Sequence, residues 1–173
     1  MTTAFIAVGS NIHPEDNIRK ALLLLSRKAH ITGVSTVYRT QPEGAPGQPL
    51  FYNAVVKIET DLAPLDLKFS ALRPVEEALG RARTGDKCAP RTIDLDILLY
   101  DDVMLEAKEL MLPDPRIESR AFLAIPLREL APDLVMPGSE VPIAEIAGRL
   151  VNHGMTPLIE YTELLRKDLG NGL

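Results

Sequence analysis

Two aspartates interrupt an otherwise apolar segment that covers residues 90–100. β-Branched and large apolar residues dominate this segment, which is typical of a β-strand. Because side chains alternate along a strand, Asp94 and Asp96 are predicted to point to one face, about 7 Å apart. The opposite face, which points into a core, is predicted to carry Leu95, Ile97 and Leu99.

Paired carboxylates in a half-buried strand require a cation between them. A hard divalent ion such as Mg²⁺ suits the position best, because it prefers oxygen ligands and commonly shares them with phosphates. Guanidinium groups that fit phosphate oxygens stand just upstream, on Arg81, Arg83 and Arg91. Carboxylates beside arginines predict a phosphoryl-transfer site. The alternative is an Asp-x-Asp pair on an exposed strand edge, which would need far fewer neighbouring charges.

Composition predicts one globular domain over residues 1–173, since 46% of the residues are hydrophobic and 25% are charged. No apolar run approaches a membrane span, and the first residues do not resemble a signal peptide. A single cysteine, Cys88, excludes an internal disulfide framework and favours the cytoplasm. The net charge of −5 disfavours nucleic-acid binding. Residues 73–91 nevertheless hold five cations against three acids, which indicates a small polyanion as ligand.

Periodicity and turn residues predict the elements that must position this site. Strands are expected at residues 4–8, 34–40 and 54–60, and again at the aspartate segment. Helices are expected from Pro14, from Pro64 to about Leu79 with a kink at Pro74, and at 118–130, 143–151 and 157–167. The order predicts an α+β fold, a ferredoxin-like βαββαβ core with additional C-terminal helices. Gly80 is expected to end the second helix.

Six short motifs occur along the chain, and their order and spacing together are highly specific for one protein family. They occupy residues 7–11, 37–40, 48–53, 76–81, 90–98 and 120–122. In this arrangement the chain resembles the hydroxymethyl-dihydropterin pyrophosphokinases of folate biosynthesis. The resemblance implies transfer of pyrophosphate from ATP to the hydroxymethyl group of 6-hydroxymethyl-7,8-dihydropterin, with release of AMP.

The resemblance also implies roles for particular residues. Two Mg²⁺ ions would be held by Asp94 and Asp96, and the catalytic residues would be Arg81, Arg91, Asp94 and Asp96. Contacts with ATP would come from Glu76, Arg83, Lys87, Ile97 and Arg120. The pterin ring would be bound by Thr40, Glu43, Phe51, Asn53 and Phe122. The partners implied are these small molecules, with no membrane or nucleic acid, and the enzyme is expected to be a monomer.

Several positions depart from the family pattern, among them Arg73, which replaces a polar amide of some relatives. Cys88 stands where a tryptophan is frequent, and Ala89 replaces a glycine. Asp114 stands where many relatives carry a histidine that contacts the nucleotide. Loops 41–49 and 81–89 are expected to close over the substrates. Two other functions remain open from the residues alone: a nucleotidyltransferase that uses the same Asp-x-Asp pair, and a non-catalytic ferredoxin-like binding module.

Overall fold

An antiparallel sheet runs through the middle of the protein, with helices on both faces. The computed structural model describes residues 1–42, 47–82, 85, 89–150 and 154–170. Within these ranges the main sheet has six strands: β1 Thr2–Ser10, β2 His30–Val34, β3 Tyr38–Thr40, β4 Phe51–Thr60, β5 Asp94–Tyr100 and β8 Thr156–Pro157. Their order is β5-β1-β4-β3-β8, and β2 also pairs with β4. A separate hairpin is formed by β6 Leu105–Glu106 and β7 Met111–Leu112.

The helices precede and follow these strands. The α-helices in the described part of the chain are α1 Pro14–Leu25, α2 Pro64–Asp66, α3 Arg73–Ala78, α4 Ala121–Leu130, α5 Ile143–Arg149 and α6 Ile159–Asp168. A π-helical segment, Leu67–Leu72, joins α2 to α3, and a 3₁₀ segment, Pro115–Glu118, precedes α4. None of the helices in the described ranges is long and apolar enough to cross a membrane.

The predicted ferredoxin-like fold is confirmed by the strand order. The chain runs from β1 through α1 to β2 and β3, returns along β4, and passes through α2 and α3 to β5. β5 and β4 flank β1, and β2 and β3 lie outside β4. The first and last strands of the βαββαβ unit are therefore neighbours: β5, which carries the two aspartates, lies at the edge of the sheet and pairs with β1.

The sheet separates two hydrophobic cores. The first core packs α1, the π-helical segment, α3 and Leu165 of α6 against one face. The second packs α4 and α5 against the other face. Leu95 and Ile97 lie in the first core, as predicted, but Leu99 lies in the second, so that prediction was wrong. The register between β1 and β5 shifts after Phe5, and this irregularity reverses the alternation of the last residues of β5.

Two predicted elements are interrupted. The strand predicted over residues 34–40 is divided: β2 ends at Val34, and β3 begins at Tyr38. Between them, Thr36 N–H donates to Glu129 Oε2 (2.7 Å) and Val37 N–H donates to Thr162 Oγ1 (2.9 Å) in place of strand neighbours. The helix from Pro64 changes type at Leu67 and returns to an α-helix just before Pro74, which lacks a backbone N–H. The carbonyl of Ser70 accepts a hydrogen bond from Lys28 Nζ (3.3 Å).

Candidate active site

A cavity of about 240 Å³ opens at the ends of β1, β4 and β5, on the face that α4 covers. Its walls bring together eight of the predicted site residues: Thr40, Phe51, Asn53, Arg91, Asp94, Asp96, Arg120 and Phe122. These residues come from four separate segments of the chain.

Gly9 lies at the centre of this wall. It is the cross-strand partner of Asn53 in β4 and of Asp94 in β5. A Cβ atom at this position would lie 2.9 Å from Asn53 Oδ1, closer than real Cβ atoms approach an oxygen. The glycine of the Gly-Ser-Asn motif therefore makes the room that the Asn53 amide occupies.

The nitrogen of the Asn53 amide is held in place by a hydrogen bond to Thr40. Asn53 Nδ2 donates to Thr40 Oγ1 at 2.8 Å, and Thr40 is buried. Phe51 and Phe122 line the same cavity, and both rings are half-buried. An oriented amide beside two aromatic faces can bind a flat heterocycle by its edge and its faces.

Two arginines bind Asp94. Arg81 Nη2 lies 3.3 Å from Oδ1, and Arg91 Nη1 donates to Oδ2. Arg91 is itself fixed, because its backbone N–H donates to Asn11 Oδ1 at 2.7 Å. The end of β1 and the start of β5 are thus joined, and guanidinium groups are concentrated beside a carboxylate. This arrangement gives a local positive field that can attract a phosphate group.

Asp96 is bound by a residue that sequence reasoning missed. Arg116, in the 3₁₀ segment, donates through Nη2 to Asp96 Oδ2 at 2.9 Å. The same guanidinium also donates hydrogen bonds to Asp114. These hydrogen bonds, together with the charges of Asp96 and Asp114, raise the pKa of Arg116 above its ordinary value. Asp-Pro-Arg at 114–116 could have been recognised as a capped turn, since Asp114 accepts from the Arg116 backbone N–H.

The donor set of this site fits a hard cation. Asp94 and Asp96 line one cavity, but no group of three or more His, Cys, Asp or Glu side chains able to hold a metal occurs among the described residues. Two carboxylates without nitrogen or sulfur ligands are typical of Mg²⁺, which completes its shell with phosphate oxygens and water. They do not suit a structural zinc site, which needs four protein ligands.

The sequence pattern that defines 7,8-dihydro-6-hydroxymethylpterin-pyrophosphokinase (HPPK) matches residues 5–132. This chain belongs to the HPPK family. It is 38% identical over 161 residues to the pyrophosphokinase of Haemophilus influenzae, covering 91% of this chain and 99% of that protein. It is 40% identical over 142 residues to the Pseudomonas aeruginosa enzyme, covering 80% and 86%. Both relatives are 2-amino-4-hydroxy-6-hydroxymethyldihydropteridine pyrophosphokinases.

Solved structures agree with the fold. The crystal structure of Plasmodium falciparum HPPK-DHPS with pteroate superposes with a TM-score of 0.67 at 15% identity. The match covers 86% of this chain and 42% of that longer chain. HPPK enzymes act in folate synthesis and transfer pyrophosphate to hydroxymethyldihydropterin. The family and reaction predicted from the motifs are therefore confirmed.

Two of the residues expected to contact ATP in an HPPK site lie behind the cavity wall. Glu76 is buried, and its Oε1 accepts the backbone N–H of Leu95 at 2.9 Å, which ties α3 to the aspartate strand. The Ile97 side chain is 3% exposed and packs in the first core. Ile97 also borders a second cavity of about 320 Å³, which shares Asp96 and Arg116 with the first.

Of the remaining residues predicted for the HPPK site, Arg81 lies in the described part of the chain and the others lie outside it. Arg81 does not line the cavity, but it contacts Asp94, which does, and it also donates to the Ile93 carbonyl at 3.3 Å. Four residues discussed from the sequence lie outside the described residues: Glu43, Arg83, Lys87 and Cys88. The closure predicted for loops 41–49 and 81–89 involves these segments and stays a prediction.

Proposed function

We propose that this chain transfers the terminal pyrophosphate of ATP to the hydroxymethyl oxygen of 6-hydroxymethyl-7,8-dihydropterin, using two Mg²⁺ ions held by Asp94 and Asp96. The observation that carries the proposal is the convergence on one cavity of two carboxylates, several guanidinium groups, and an oriented amide beside two phenyl rings. Each group matches one part of the two substrates. Membership of the HPPK family supports the same reaction.

The pterin end is supported by Asn53, Phe51 and Phe122. Two phenyl rings can stack against the faces of a pterin, and a fixed amide can hydrogen-bond its pyrimidinone edge. Thr40 keeps the amide in one orientation through a 2.8 Å hydrogen bond. Such positioning brings the hydroxymethyl group towards the carboxylates without covalent participation of the protein.

The phosphate end is supported by the arginines around Asp94. The hydroxymethyl oxygen would bond to the β-phosphorus of ATP and lose its proton, and the bond between that phosphorus and the α–β bridging oxygen would break, releasing AMP. Arg81 and Arg91 would neutralise the charge that develops on the phosphate oxygens. Mg²⁺ held by Asp94 and Asp96 would supply further neutralisation of the phosphate charge.

The remaining features of the proposal follow from the family. ATP would also contact Glu76, Arg83, Lys87, Ile97 and Arg120, and the pterin would contact Glu43. We further propose that residues 1–173 work as one pyrophosphokinase domain, as a monomer in the cytoplasm. The two cores that share a single sheet support one domain.

A product assay tests this function. With Mg²⁺, ATP and hydroxymethyl-dihydropterin, we expect AMP to form in step with pterin diphosphate, and chelation of the metal to abolish both. Asp94→Asn should lower kcat about 100-fold or more, because it removes one of the two carboxylates proposed to hold Mg²⁺. Asp102→Asn, an exposed acid in the turn after β5, is the matched control and should behave as wild type. ADP in place of AMP, or turnover unaffected by chelation, would contradict the proposal.

A further inference from the structure

Arg116 lies between two carboxylates that belong to different elements. Its Nη2 is 2.9 Å from Asp96 Oδ2 in β5 and 2.6 Å from Asp114 Oδ2 at the start of the 3₁₀ segment. One guanidinium nitrogen therefore connects the aspartate strand to the segment that leads into α4. The three charges form a row in which the cation is central.

Both carboxylate oxygens of Asp114 accept hydrogen bonds from Arg116. Only 7% of Asp114 is exposed. Its Oδ1 accepts from the Arg116 backbone N–H (2.9 Å) and from Nε (3.1 Å), and its Oδ2 accepts from Nε (3.1 Å) and Nη2 (2.6 Å). All of these bonds come from one residue. The paired contacts of a planar guanidinium with a carboxylate fix the direction of the arginine side chain.

The charges have a consequence for Asp96. A guanidinium bound to an aspartate reduces the negative charge that attracts a cation to it, as Arg81 and Arg91 do at Asp94. Here Asp114 neutralises Arg116 from the other side, so the row of three charges keeps a net charge of −1. Arg116 can then orient Asp96 through Oδ2 while the carboxylate retains negative charge for a metal.

We propose that Asp114 and Arg116 are a positioning pair for Asp96: Asp114 fixes and neutralises Arg116, and Arg116 holds the Asp96 carboxylate in its metal-binding orientation. This inference rests on the proposed metal-binding role of Asp96. It gives Asp114 an indirect role in place of the direct nucleotide contact that the family resemblance implies for a histidine at this position. The crowding of both its oxygens around Arg116 favours the indirect role.

Metal affinity tests the pair without relying on turnover. Mg²⁺ is titrated calorimetrically into the full chain in the presence of a non-hydrolysable ATP analogue. Asp114→Asn leaves Arg116 uncompensated, so we expect Mg²⁺ affinity to fall about tenfold. The double variant Asp114→Asn with Arg116→Gln removes the uncompensated cation and should recover part of that loss. Asp168→Asn is the matched control, because it breaks the distant Arg19–Asp168 ion pair (2.5 Å). It should change the Mg²⁺ affinity less than about twofold.

Arg116→Lys provides a second test, which applies even where Asp114→Asn folds poorly. A lysine keeps the charge but cannot make the paired contacts with Asp114, so we expect weaker Mg²⁺ binding here as well. Circular dichroism establishes that each variant is folded before titration. Weaker binding in both single variants, with partial recovery in the double variant, would support the inference.

Three results would overturn it. Unchanged Mg²⁺ affinity in both single variants would remove the positioning pair but leave the proposed function intact. Equal losses in Asp114→Asn and the double variant, together with weaker binding of the analogue in the absence of metal, would show that Asp114 contacts the nucleotide directly. Absence of Mg²⁺ binding by the wild type, or binding unaffected by Asp96→Asn, would overturn both this inference and the proposed metal site.

Discussion

The absence of a side chain at Gly9 determines how closely Asn53 can approach β1. In Gly9→Ala the new Cβ atom would lie 2.9 Å from Asn53 Oδ1 and would push the amide out of its position. We expect KM for the pterin to rise about tenfold, or ~1.4 kcal/mol, with a smaller change in KM for ATP. Steady-state kinetics with each substrate varied in turn measures the difference.

Gly33→Ala is the matched control for that change. A Cβ atom there would lie 3.1 Å from Leu130 Cδ2, the end of a flexible side chain that does not line the cavity. Its kinetics should therefore equal those of the wild type. A normal pterin KM in Gly9→Ala would mean that Asn53 does not need its present position to bind the ring.

The hydroxyl of Thr40 is a second determinant of the Asn53 orientation. Thr40→Val keeps the shape but removes the acceptor for Asn53 Nδ2 (2.8 Å). The loss is expected to cost about 1 kcal/mol, or about fivefold in pterin affinity by fluorescence titration. Thr40→Ser keeps the acceptor and should restore most of the affinity. Equal affinities of the valine and serine variants would argue against an orienting role for this hydrogen bond.

Residues of the candidate site differ in how far the sequence could reveal them. Asp94 and Asp96 were accessible because alternation along a strand is local, and the structure does place both in one cavity. Arg116 was not accessible, since its contact with Asp96 joins residues 20 positions apart through a 3₁₀ segment that periodicity does not detect. The buried hydrogen bond from Leu95 to Glu76 was missed for the same reason.

At the scale of elements, Glu76 links α3 to β5 at the edge of the main sheet. In Glu76→Ala the buried Leu95 N–H loses the acceptor that lies 2.9 Å away. We expect the free energy of unfolding to fall by about 1–3 kcal/mol, measured by urea denaturation. kcat should fall too, because Leu95 separates the two aspartates.

The same helix offers a matched control. Glu77 is exposed on α3, so Glu77→Ala should change the free energy of unfolding by less than about 0.5 kcal/mol. Glu76→Gln retains an acceptor and should lose less stability than Glu76→Ala. If Glu76→Ala is no less stable than Glu77→Ala, the hydrogen bond to Leu95 does not hold β5 in place.

Elements were predicted where their causes are local and misjudged where the causes are distant. α1 begins at Pro14 as predicted, since a proline in the first turn followed by acids is a local signal. The division of residues 34–40 into β2 and β3 depends on Thr162, which lies 125 positions from Val37. The reversal at Leu99 depends on an irregularity in the pairing with β1, which strand alternation alone does not predict.

At the scale of the whole molecule, the C-terminal segments complete both cores. The predicted order of strands and helices was enough to give the ferredoxin-like fold, but it could not tell where the last forty residues, roughly, would pack. α5 packs with α4 in the second core, whereas α6 adds Leu165 to the first. Tyr161 Oη donates to the Glu15 carbonyl (2.6 Å), and Arg166 donates to the Val34 carbonyl, so α6 is fastened to α1 and to β2.

This packing predicts that α6 contributes to stability and not to the chemistry. Leu165 is 1% exposed, and Leu165→Ala would leave a cavity in the first core. We expect a loss of about 2–5 kcal/mol in the free energy of unfolding, with kcat and both KM values unchanged well below the unfolding transition. Leu164, one position earlier and 51% exposed, is the control, and Leu164→Ala should cost less than about 0.5 kcal/mol. Equal stability of the two variants would show that α6 does not anchor the first core, and a lower kcat in folded Leu165→Ala would show that it also supports the active site.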